Sequence, residues 1–510
     1  MAVVEPIASK AGGRRRLQVK SPVDLAPLGE FDVANAEDVA KALTRARKAQ
    51  SRWALTSLKD RAAMMDRLLG VLLARQDAIV ARVMGETGRS RMETFFMEIF
   101  AACDTVNFHA RRGPKILADQ SVGLHLLRMK KAKIVYRPLG VVGIITPWNG
   151  PFILSLNPTV QAVMAGNAVI IKPSEVTPFS GQLVEDLFRE AEFPEHLVQV
   201  LLGDGETGAA LCEAGVDKIS FTGSVATGRK VGETCGRNLI PCTLELGGKD
   251  PMLVCADADL ERAAGGAVFG AFMNAGQYCS STERVYVVDA VADRFTDLVV
   301  EKTRALKLGT EGDFDLGPFI ASGQIDIVER HVADAVEKGA RVLCGGKRNE
   351  QLGPYFYEPT VLTGVTHAMA IVREESFGPL LPIIRCDNEE EAVRMANDTT
   401  YGLGANVWSR DKARAERIGR RMDAGSVCIN DASVTYGALE VPFGGRKSSG
   451  VGSVNGAEGL RAYCHAQPII TDRFGLKAEQ IWYPYTQEKL EGMQKALKIM
   501  WGSPLKRLMK

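Results

Sequence analysis

Short apolar runs separated by helical stretches constrain the fold of this chain more than any other feature. Before residue 249 these runs are "GVVGIIT", "NAVIIKP", "VQVLLG" and "KISFTGS", and after it come "DPMLVC", "RVYVV", "ARVLCGG", "ANVWS" and "GSVCIN". Runs rich in Val and Ile that end in turn residues are typical of βαβ units around a buried parallel sheet. Because 510 residues exceed one ordinary core, the pattern predicts two Rossmann-like α/β domains, the second beginning near residue 248.

Other patterns precede and interrupt these units. Asn35 can cap a helix through "AEDVAKALTRARKAQSRW", and a second helical pattern runs from about Lys59 to Met84. The stretch "GLHLLRMKKAKIVYRPLG" predicts a long hairpin whose two strands are joined by a polar turn at Lys130 and Lys131.

The C-terminal stretch is a basic amphipathic tail. Its helical pattern "TQEKLEGMQKALKIMW" places one apolar face at Leu490, Met493, Leu497, Met500 and Trp501. From residue 486 to 510 there are six basic and two acidic residues. One hypothesis is docking on an anionic membrane surface; the alternative is that the apolar face packs against protein.

Composition excludes several classes of protein. A formal charge of +2 provides no global basic field, so we expect no nucleic-acid partner. The chain lacks an apolar run of membrane-spanning length, and the basic residues at 14–16 are not followed by the apolar region of a secretory signal. Ten cysteines occur without a C-x-x-C or a zinc-ligand spacing, so we expect a cytoplasmic protein with reduced thiols and no metal.

Three residues are candidates for catalysis. Cys279 lies in "NAGQYCSS", among small and polar residues where a thiol would be accessible and reactive. Glu245 in "LELGGKDP" is a lone carboxylate in an apolar strand, where burial would raise its pKa toward that of a general base. Asn149 in "TPWNGP" can donate its side-chain amide to a developing oxyanion. Taken singly, Glu245 is as well explained by a structural role, and Asn149 by a turn.

Several turns could bind a nucleotide. "GDGETG" at 203–208 matches G-x-G-x-x-G, but glycine turns between strand and helix are common. "FTGS" is a better phosphate site, because Gly223 allows close approach and Ser224 begins a helix; a plain helix cap is the alternative. Lys172 and Glu175 in "KPSE" follow a strand and suit ribose hydroxyls, and "EESFGP" adds a further carboxylate and ring.

Together these stretches resemble the NAD(P)-dependent aldehyde dehydrogenase superfamily of the hydrolytic, non-acylating type. T-P-W-N, K-P-S-E, F-T-G-S, E-L-G-G-K, G-Q-x-C, E-x-F-G-P and P-F-G-G-x-K-x-S-G occur in this order, and the likeness runs from about residue 30 to 472. It implies a cofactor domain at 1–119 and 139–247 and a catalytic domain at 248–461. A small β oligomerisation domain is expected at 120–138 and 462–472, and the tail at 473–510.

The resemblance also implies roles for residues. Cys279 would be the nucleophile, Glu245 the base that activates water, and Asn149 with the Cys279 amide the oxyanion hole. Lys172 and Glu175 would hold the adenosine ribose, Ser224 the pyrophosphate, and Glu375 the nicotinamide ribose beside Phe377. The full set expected to bind cofactor is Thr146, Pro147, Trp148, Lys172, Ser174, Glu175, Gly205, Phe221, Thr222, Gly223, Ser224, Leu246, Glu375 and Phe377.

The expected substrate tunnel departs from the family pattern. Gly150, Asn157 and Gly437 occupy positions that are often aromatic in the family, which would widen the tunnel. The remaining expected lining is Leu154, Tyr278, Ser280, Tyr436 and Phe443. We therefore predict a bulky aromatic or long-chain hydrophobic aldehyde. A succinate-semialdehyde type of substrate stays an alternative, with Arg284 or Arg446 as the candidate carboxylate ligand.

Other expectations concern cofactor, assembly and rival functions. Glu175 would repel a 2′-phosphate and favours NAD, while use of NADP stays open. The hairpin and the strand "LRAYCHAQPII" would join copies into a homodimer or homotetramer. A CoA-acylating enzyme would not need Glu245, a cysteine hydrolase would not need the cofactor motifs, and a non-catalytic structural relative would not need Cys279, Glu245 and Asn149 together.

Overall fold

The computed structural model describes residues 3–7 and 14–502. Residues 1, 2 and 8–13 of the predicted cofactor domain and residues 503–510 of the predicted tail lie outside the described residues. The chain divides into two compact units. Unit 1 comprises Met1–Ile116 and Pro138–Tyr463, and unit 2 comprises Leu117–Arg137 and Cys464–Lys510.

Nineteen strands and sixteen α-helices form the described part of the chain. The strands are β1 Val4–Ile7, β2 Arg16–Lys20, β3 Pro27–Asp32, β4 Gln120–Val122, β5 Lys130–Pro138, β6 Val141–Ile145, β7 Ala168–Lys172, β8 Val198–Val200, β9 Lys218–Thr222, β10 Cys242–Glu245, β11 Asp250–Val254, β12 Thr282–Val288, β13 Arg341–Cys344, β14 Thr360–Thr363, β15 Leu380–Cys386, β16 Gly404–Trp408, β17 Ser426–Ile429, β18 Gly450–Val451 and β19 Cys464–Asp472.

The α-helices are α1 Ala36–Trp53, α2 Leu58–Thr87, α3 Arg91–Thr94, α4 Ala101–Ile116, α5 Ile153–Met164, α6 Pro178–Glu190, α7 Gly205–Glu213, α8 Val225–Arg237, α9 Leu260–Phe272, α10 Asp289–Arg304, α11 Gln324–Glu337, α12 Ala370–Arg373, α13 Glu389–Asn397, α14 Lys412–Gly419, α15 Gly456–Arg461 and α16 Gln487–Gly502. A π-helical turn, Phe95–Phe100, connects α3 to α4, and 3₁₀ turns lie at Met273–Gly276 and Lys447–Ser449.

Two parallel sheets organise unit 1, which confirms the predicted α/β fold. The first has the strand order β18-β10-β9-β6-β7-β8, parallel except where β18 pairs antiparallel to β10. The second has the order β13-β14-β15-β12-β11-β16-β17, with β13 the antiparallel edge. Each apolar run named from the sequence forms a strand of one of these sheets. The further division into cofactor, catalytic and oligomerisation domains stays a prediction.

Local signals explain the helix boundaries. Asn35 caps α1 as predicted, because its side chain accepts from the Asp38 N–H at 3.0 Å while the Asp38 carboxylate accepts from the Asn35 N–H at 3.1 Å. The second helix extends beyond the predicted Lys59–Met84, since Ser57 caps it and left-handed Gly88 ends it.

The hairpin of unit 2 corrects one prediction. Lys130 and Lys131 do not form its turn; they begin β5, which pairs antiparallel to β4 through Val122 and Ala132. The connection is residues 123–129 instead. The reason is that Lys131 and Lys133 lie exposed on alternate positions of the strand, where a lysine is tolerated at the solvated face of a sheet. The β19-β5-β4 sheet is the only sheet in the described part of unit 2.

The parallel strands β10, β9, β6 and β7 end at one edge of the first sheet. Glu245 ends β10, Thr222 ends β9, residues 146–149 follow β6, and residues 173–175 follow β7. Parallel sheets bind ligands outside the carboxyl ends of their strands. Four of the motifs named from the sequence therefore meet at this edge. Among the described residues no helix is long and apolar enough to span a bilayer.

Candidate active site

A cavity of about 350 Å³ lies at the carboxyl ends of β6, β7 and β9. Ten of the residues expected to bind cofactor line it: Thr146, Pro147, Lys172, Ser174, Glu175, Gly205, Phe221, Thr222, Gly223 and Ser224. Sequence reasoning missed other lining residues, among them Cys212, Thr227, Lys230, Val231 and Thr234, because they lie on helices whose sequences carry no ligand signal.

A second cavity of about 290 Å³ contains the three candidate catalytic residues. Cys279, Glu245 and Asn149 line it together with Trp148, Leu246, Glu375 and Phe377. Pro147 and the segment Thr222–Ser224 line both cavities, so the two form a continuous groove. The fourteen residues expected to bind cofactor all line this groove.

The first cavity presents groups of the kind that bind phosphate and hydroxyl oxygens. Ser224 caps α8, its hydroxyl accepting from the Thr227 N–H at 3.3 Å, so the positive end of that helix faces the groove. The Lys172 ammonium lies 3.4 Å from the Glu175 carboxylate and donates to the Gly203 carbonyl at 3.1 Å. A side chain at Gly223 would come within 2.6 Å of the Phe221 ring, so glycine keeps the backbone open to a ligand.

The glycine motif at 203–208 has a supporting role in this cavity. A Cβ at Gly203 would lie 2.0 Å from the Thr207 hydroxyl, so this glycine makes the turn between β8 and α7. Asp204 caps α7, and Gly205 and Gly208 line the cavity.

The backbone before Cys279 adopts an unusual conformation. Asn274, Ala275 and Gly276 have consecutive positive φ values of 54°, 52° and 73°, which cost energy for the two non-glycine residues. Gln277 holds this turn from within: its amide donates to the carbonyls of Asn274 at 3.0 Å and Pro318 at 3.2 Å. The turn brings the half-buried Cys279 to the cavity.

Asn149 is held on both sides. The side-chain amide of Asn149 donates to the backbone carbonyl of Gln277 at 3.1 Å. The backbone carbonyl of Asn149 accepts from Arg89 at 2.5 Å and from the side-chain amide of Asn274 at 3.0 Å. Arg89 is buried and paired with the buried Glu98 at 3.0 Å. The same contacts therefore couple the Asn149 amide to the turn that carries the thiol.

Glu245 is a buried carboxyl group. It is 7% exposed, and neither of its oxygens has a hydrogen-bond partner among the described residues. Burial raises its pKa well above the usual range. Such a group is costly for folding and is explained by a task in the cavity that it lines.

The environment of Cys279 favours the protonated form of its thiol. Burial raises its pKa, and the carboxylates of Asp250, Glu245 and Glu375 raise it further. A thiolate forms only when the environment changes or a base takes the proton.

The end of the groove that contains Glu375 and Phe377 rests on a buried ion pair. Lys249 pairs with Glu283, and Glu283 accepts from the N–H groups of Ser376 at 2.8 Å and Phe377 at 2.9 Å. Phe377, with φ 48°, contacts Trp148 edge to face at 5.4 Å. Glu375 accepts from the Gly248 N–H at 3.1 Å, and burial raises its pKa to about 8.

The residues expected to bind substrate divide into several groups. Leu154 lines the cavity that contains Cys279. Tyr436 and Phe443 meet edge to face at 5.3 Å and share an apolar cluster with Cys279. Tyr278 is half-buried, Ser280 and Gly150 are buried, and Gly437 is exposed.

Asn157 has a different environment from the one expected of tunnel lining. It is fully buried, and its amide donates to the Tyr436 hydroxyl at 3.0 Å and to Asn455 at 3.1 Å. Its contribution to this region is therefore to hold Tyr436.

The two arginines considered as carboxylate ligands are already engaged. Arg284 is buried and donates to the carbonyls of Lys249 at 2.9 Å and Ala396 at 3.0 Å. Arg446 pairs with Asp423 at 2.6 Å. Neither lines the cavity with Cys279.

Arg89, Glu98, Gln277 and Glu283 were not identified from the sequence. Their only signal is that a charged or amide residue interrupts an apolar or motif stretch, which does not reveal a partner distant in sequence. Among the described residues, no group of three His, Cys, Asp or Glu side chains could hold a metal ion.

Comparison with known proteins identifies relatives across most of the chain. The sequence profile described as "Aldehyde dehydrogenase family" matches residues 8–469. The 4,4'-diapolycopene aldehyde oxidase of Methylomonas sp is 40% identical over 484 residues, covering 94% of this chain and 91% of that protein. A protein of Mycolicibacterium smegmatis, provisionally named succinate-semialdehyde dehydrogenase [NADP(+)], is 42% identical over 450 residues, covering 88% of this chain and 87% of that protein.

A solved structure has the same fold. The aldehyde dehydrogenase of Mycobacterium tuberculosis complexed with NAD+ is 33% identical and superposes with a TM-score of 0.85, covering 92% of this chain and 97% of that chain.

Proposed function

The chain belongs to the aldehyde dehydrogenase family, and we propose that it oxidises a lipophilic aldehyde to the carboxylic acid through a covalent adduct on Cys279. One observation carries this proposal: a buried carboxyl group without a hydrogen-bond partner, Glu245, lines the same cavity as the thiol of Cys279. A thiol that must be deprotonated, and a carboxyl group whose pKa is raised by burial, are the two groups that this chemistry needs.

The first step is addition of the Cys279 sulfur to the aldehyde carbon. The thiol proton passes to water in the cavity, the sulfur electron pair forms the C–S bond, and the negative charge passes to the former carbonyl oxygen. The side-chain amide of Asn149 and the backbone N–H of Cys279 would donate to this oxyanion. The contacts from Arg89 and Asn274 keep Asn149 in place for it.

A nicotinamide dinucleotide bound in the groove supplies the hydride acceptor for the adduct. The chain's own residues then resolve the thioester left on Cys279. Glu245 takes a proton from water, the hydroxide adds to the thioester carbon, and the thiolate leaves as the carboxylic acid forms.

The groove residues support NAD more than NADP. Glu175 lines the first cavity next to Lys172. Its carboxylate would accept from the hydroxyls of the adenosine ribose and repel a 2′-phosphate. Lys172 and Lys230 in the same cavity partly offset that repulsion, so the preference is moderate.

A lipophilic substrate is supported by the lining and by one relative. The second cavity presents Leu154, Trp148, Ile327 and Phe377. The relative from Methylomonas is named for an aldehyde of diapolycopene, a long polyene hydrocarbon. The relative named for succinate semialdehyde keeps a carboxylate-bearing substrate as the second candidate, although Arg284 and Arg446 are engaged elsewhere.

The test is a kcat/KM series followed by NADH absorbance over acetaldehyde, hexanal, decanal, benzaldehyde and succinic semialdehyde. We expect decanal or benzaldehyde to exceed acetaldehyde by about tenfold or more, as about 1.4 kcal/mol of added apolar contact would give. A preference for acetaldehyde or succinic semialdehyde would contradict the proposed substrate class. Formation of acyl-CoA on addition of CoA would contradict hydrolysis.

We further propose that the chain is a homodimer or homotetramer joined through its hairpin. The strand β4 has all three residues exposed and offers an edge for pairing. Light scattering on the purified protein measures the mass directly; a monomer of 55.2 kDa would contradict the proposal.

A further inference from the structure

Unit 2 is strongly basic although the whole chain is nearly neutral. Its two segments contain thirteen Lys and Arg against five Asp and Glu, a formal charge of +8. The whole chain carries +2, so unit 1 carries −6. The positive charge is thus concentrated in one compact unit that lines neither cavity of the candidate active site.

The same unit exposes large apolar side chains. Among the described residues, seventeen of the twenty-nine exposed large hydrophobic residues belong to unit 2, which is 68 residues of 510. Aromatic residues with a polar group are prominent: Trp482 is 55% exposed, Tyr483 81%, Tyr485 73% and Trp501 52%. A patch of this kind on a protein surface indicates an interaction site.

The helix α16 shows how charge and apolar surface are arranged. Leu490, Met493, Leu497 and Trp501 recur at helical spacing and are about half exposed, and the helix has no buried residue. Lys495 lies on the opposite side of the helix, and Lys489 and Lys498 flank the apolar face. The result is an apolar face, about half exposed among the described residues, that is bordered by positive charge.

We propose that the C-terminal segment of unit 2, from residue 473 onward, docks on the surface of an anionic lipid bilayer, with the apolar face of α16 and the neighbouring aromatic residues in the interface. Trp and Tyr favour the boundary between headgroups and acyl chains, because their rings are apolar and their polar groups reach water. Lysines next to them are attracted by anionic headgroups. The described helices are not suited to cross the bilayer, so the contact is peripheral.

Charge favours lipid over a second copy of this surface. A two-fold interface through α16 itself would bring two copies of the segment 473–510 together, each with eight Lys and Arg against three Asp and Glu. The edge strand β4, proposed above to join copies of the chain, lies outside that segment. An anionic bilayer instead complements both the charge and the apolar face. This inference does not depend on the proposed substrate, although a bilayer is where a lipophilic aldehyde would be concentrated.

Co-sedimentation of the full chain with vesicles tests the inference. One set of vesicles contains phosphatidylcholine alone, and the other contains phosphatidylserine as well. We expect sedimentation with the anionic vesicles only, and a loss of binding as salt is raised. Sedimentation that is negligible, or that does not depend on lipid charge, overturns the proposal.

Two variants with the same charge change separate the apolar face from the rest of α16. Leu497→Glu places a carboxylate on the apolar face, and Gly492→Glu places one on the other side of the helix. We expect Leu497→Glu to lower vesicle binding by roughly tenfold or more and Gly492→Glu by less than about threefold. Both should keep the NADH-forming activity of the wild type on a water-soluble aldehyde.

Equal binding by the two variants overturns the role of the apolar face. Light scattering of the same samples tests the competing partner. If Leu497→Glu dissociates an oligomer and the wild type shows only background sedimentation, the surface joins copies of the chain and the proposal is wrong.

Discussion

The guanidinium of Arg89 donates a hydrogen bond of 2.5 Å to the backbone carbonyl oxygen of Asn149. Both residues are buried, and Arg89 also pairs with the buried carboxylate of Glu98 at 3.0 Å. Arg89 therefore acts as a positioning residue for the proposed oxyanion donor. One nitrogen of its planar guanidinium donates to the carbonyl of Asn149 and the other to the carboxylate of Glu98, and the single ammonium of a lysine would not place its donors at the same two positions.

Replacing Arg89 by Lys keeps the charge beside Glu98 and removes the planar guanidinium. We expect Arg89→Lys to lower kcat by about ten- to a hundredfold, because a small displacement of Asn149 weakens oxyanion stabilisation. The dissociation constant for NAD, measured by protein fluorescence, should stay within about threefold of the wild type. Arg91→Lys is the matched control, since Arg91 is exposed and pairs with Asp77. An equal loss in both variants would contradict the positioning role.

The positioning role of Arg89 could not be predicted from the sequence. The strands, and the meeting of fourteen motif residues in one groove, were predictable because periodicity and short motifs are local signals. The contact from Arg89 to Asn149 joins residues sixty positions apart, and no local pattern records it. The same holds for Glu283, which fixes the N–H groups of Ser376 and Phe377 from another strand. Long-range polar contacts depend on how the sheets assemble.

The hairpin of unit 2 is a second case in which contacts distant in sequence were not predictable. Two lysines in sequence suggested a turn, yet β5 begins at Lys130, whose ammonium pairs with Asp472 at 2.8 Å and with Glu479. The partner carboxylates come from the C-terminal segment of unit 2. Lys130 therefore lies in the strand, where it reaches these two carboxylates, and not in a turn.

Glu245→Gln should stabilise the protein, and more so at higher pH. Burial raises the pKa of Glu245, so the folded protein keeps this proton at pH values where the unfolded chain has lost it. The contribution of Glu245 to the free energy of unfolding therefore falls as the pH rises above the pKa of an ordinary carboxyl group. We expect Glu245→Gln to melt about 2 °C or more above the wild type near pH 8, with a smaller difference near pH 5.

Glu213 is the control for that experiment, because its pKa is lowered in the folded protein whereas that of Glu245 is raised. Asn238 and Arg237 lower the pKa of Glu213, so its contribution to stability is present at neutral pH and is lost in acid. Glu213→Gln should therefore not raise the melting temperature near pH 8. If Glu245→Gln melts below the wild type at both pH values, Glu245 is not a costly buried acid.

Glu175→Gln should change the choice of cofactor. The substitution removes a carboxylate that would repel a 2′-phosphate in the first cavity, and it leaves Lys172 and Lys230 in place. We expect the ratio of kcat/KM for NADP to that for NAD to rise by about tenfold, as about 1.4 kcal/mol would give. Initial rates at saturating aldehyde measure it. An unchanged ratio would show that Glu175 does not face the ribose.

Gly437→Phe tests the widened tunnel. A Cβ at Gly437 would meet only the Val434 carbonyl oxygen, at 3.6 Å, so the exposed position can accept a side chain. If Gly437 borders the tunnel, a ring there should lower kcat/KM for decanal by about tenfold and change that for acetaldehyde by less than about threefold. Gly70→Phe on the exposed side of α2, where nothing lies within 4 Å, is the control. Equal effects on both aldehydes would exclude Gly437 from the tunnel.

The central claim is that the Cys279 sulfur captures the aldehyde and Glu245 releases the acid. Intact-mass spectrometry of Glu245→Gln, mixed with decanal and NAD, tests it most directly. We predict one equivalent of NADH and a decanoyl group on the protein that peptide mapping places on Cys279; Cys279→Ala should show neither. Full turnover by Cys279→Ala, or an acyl group mapped to another residue, would contradict the account.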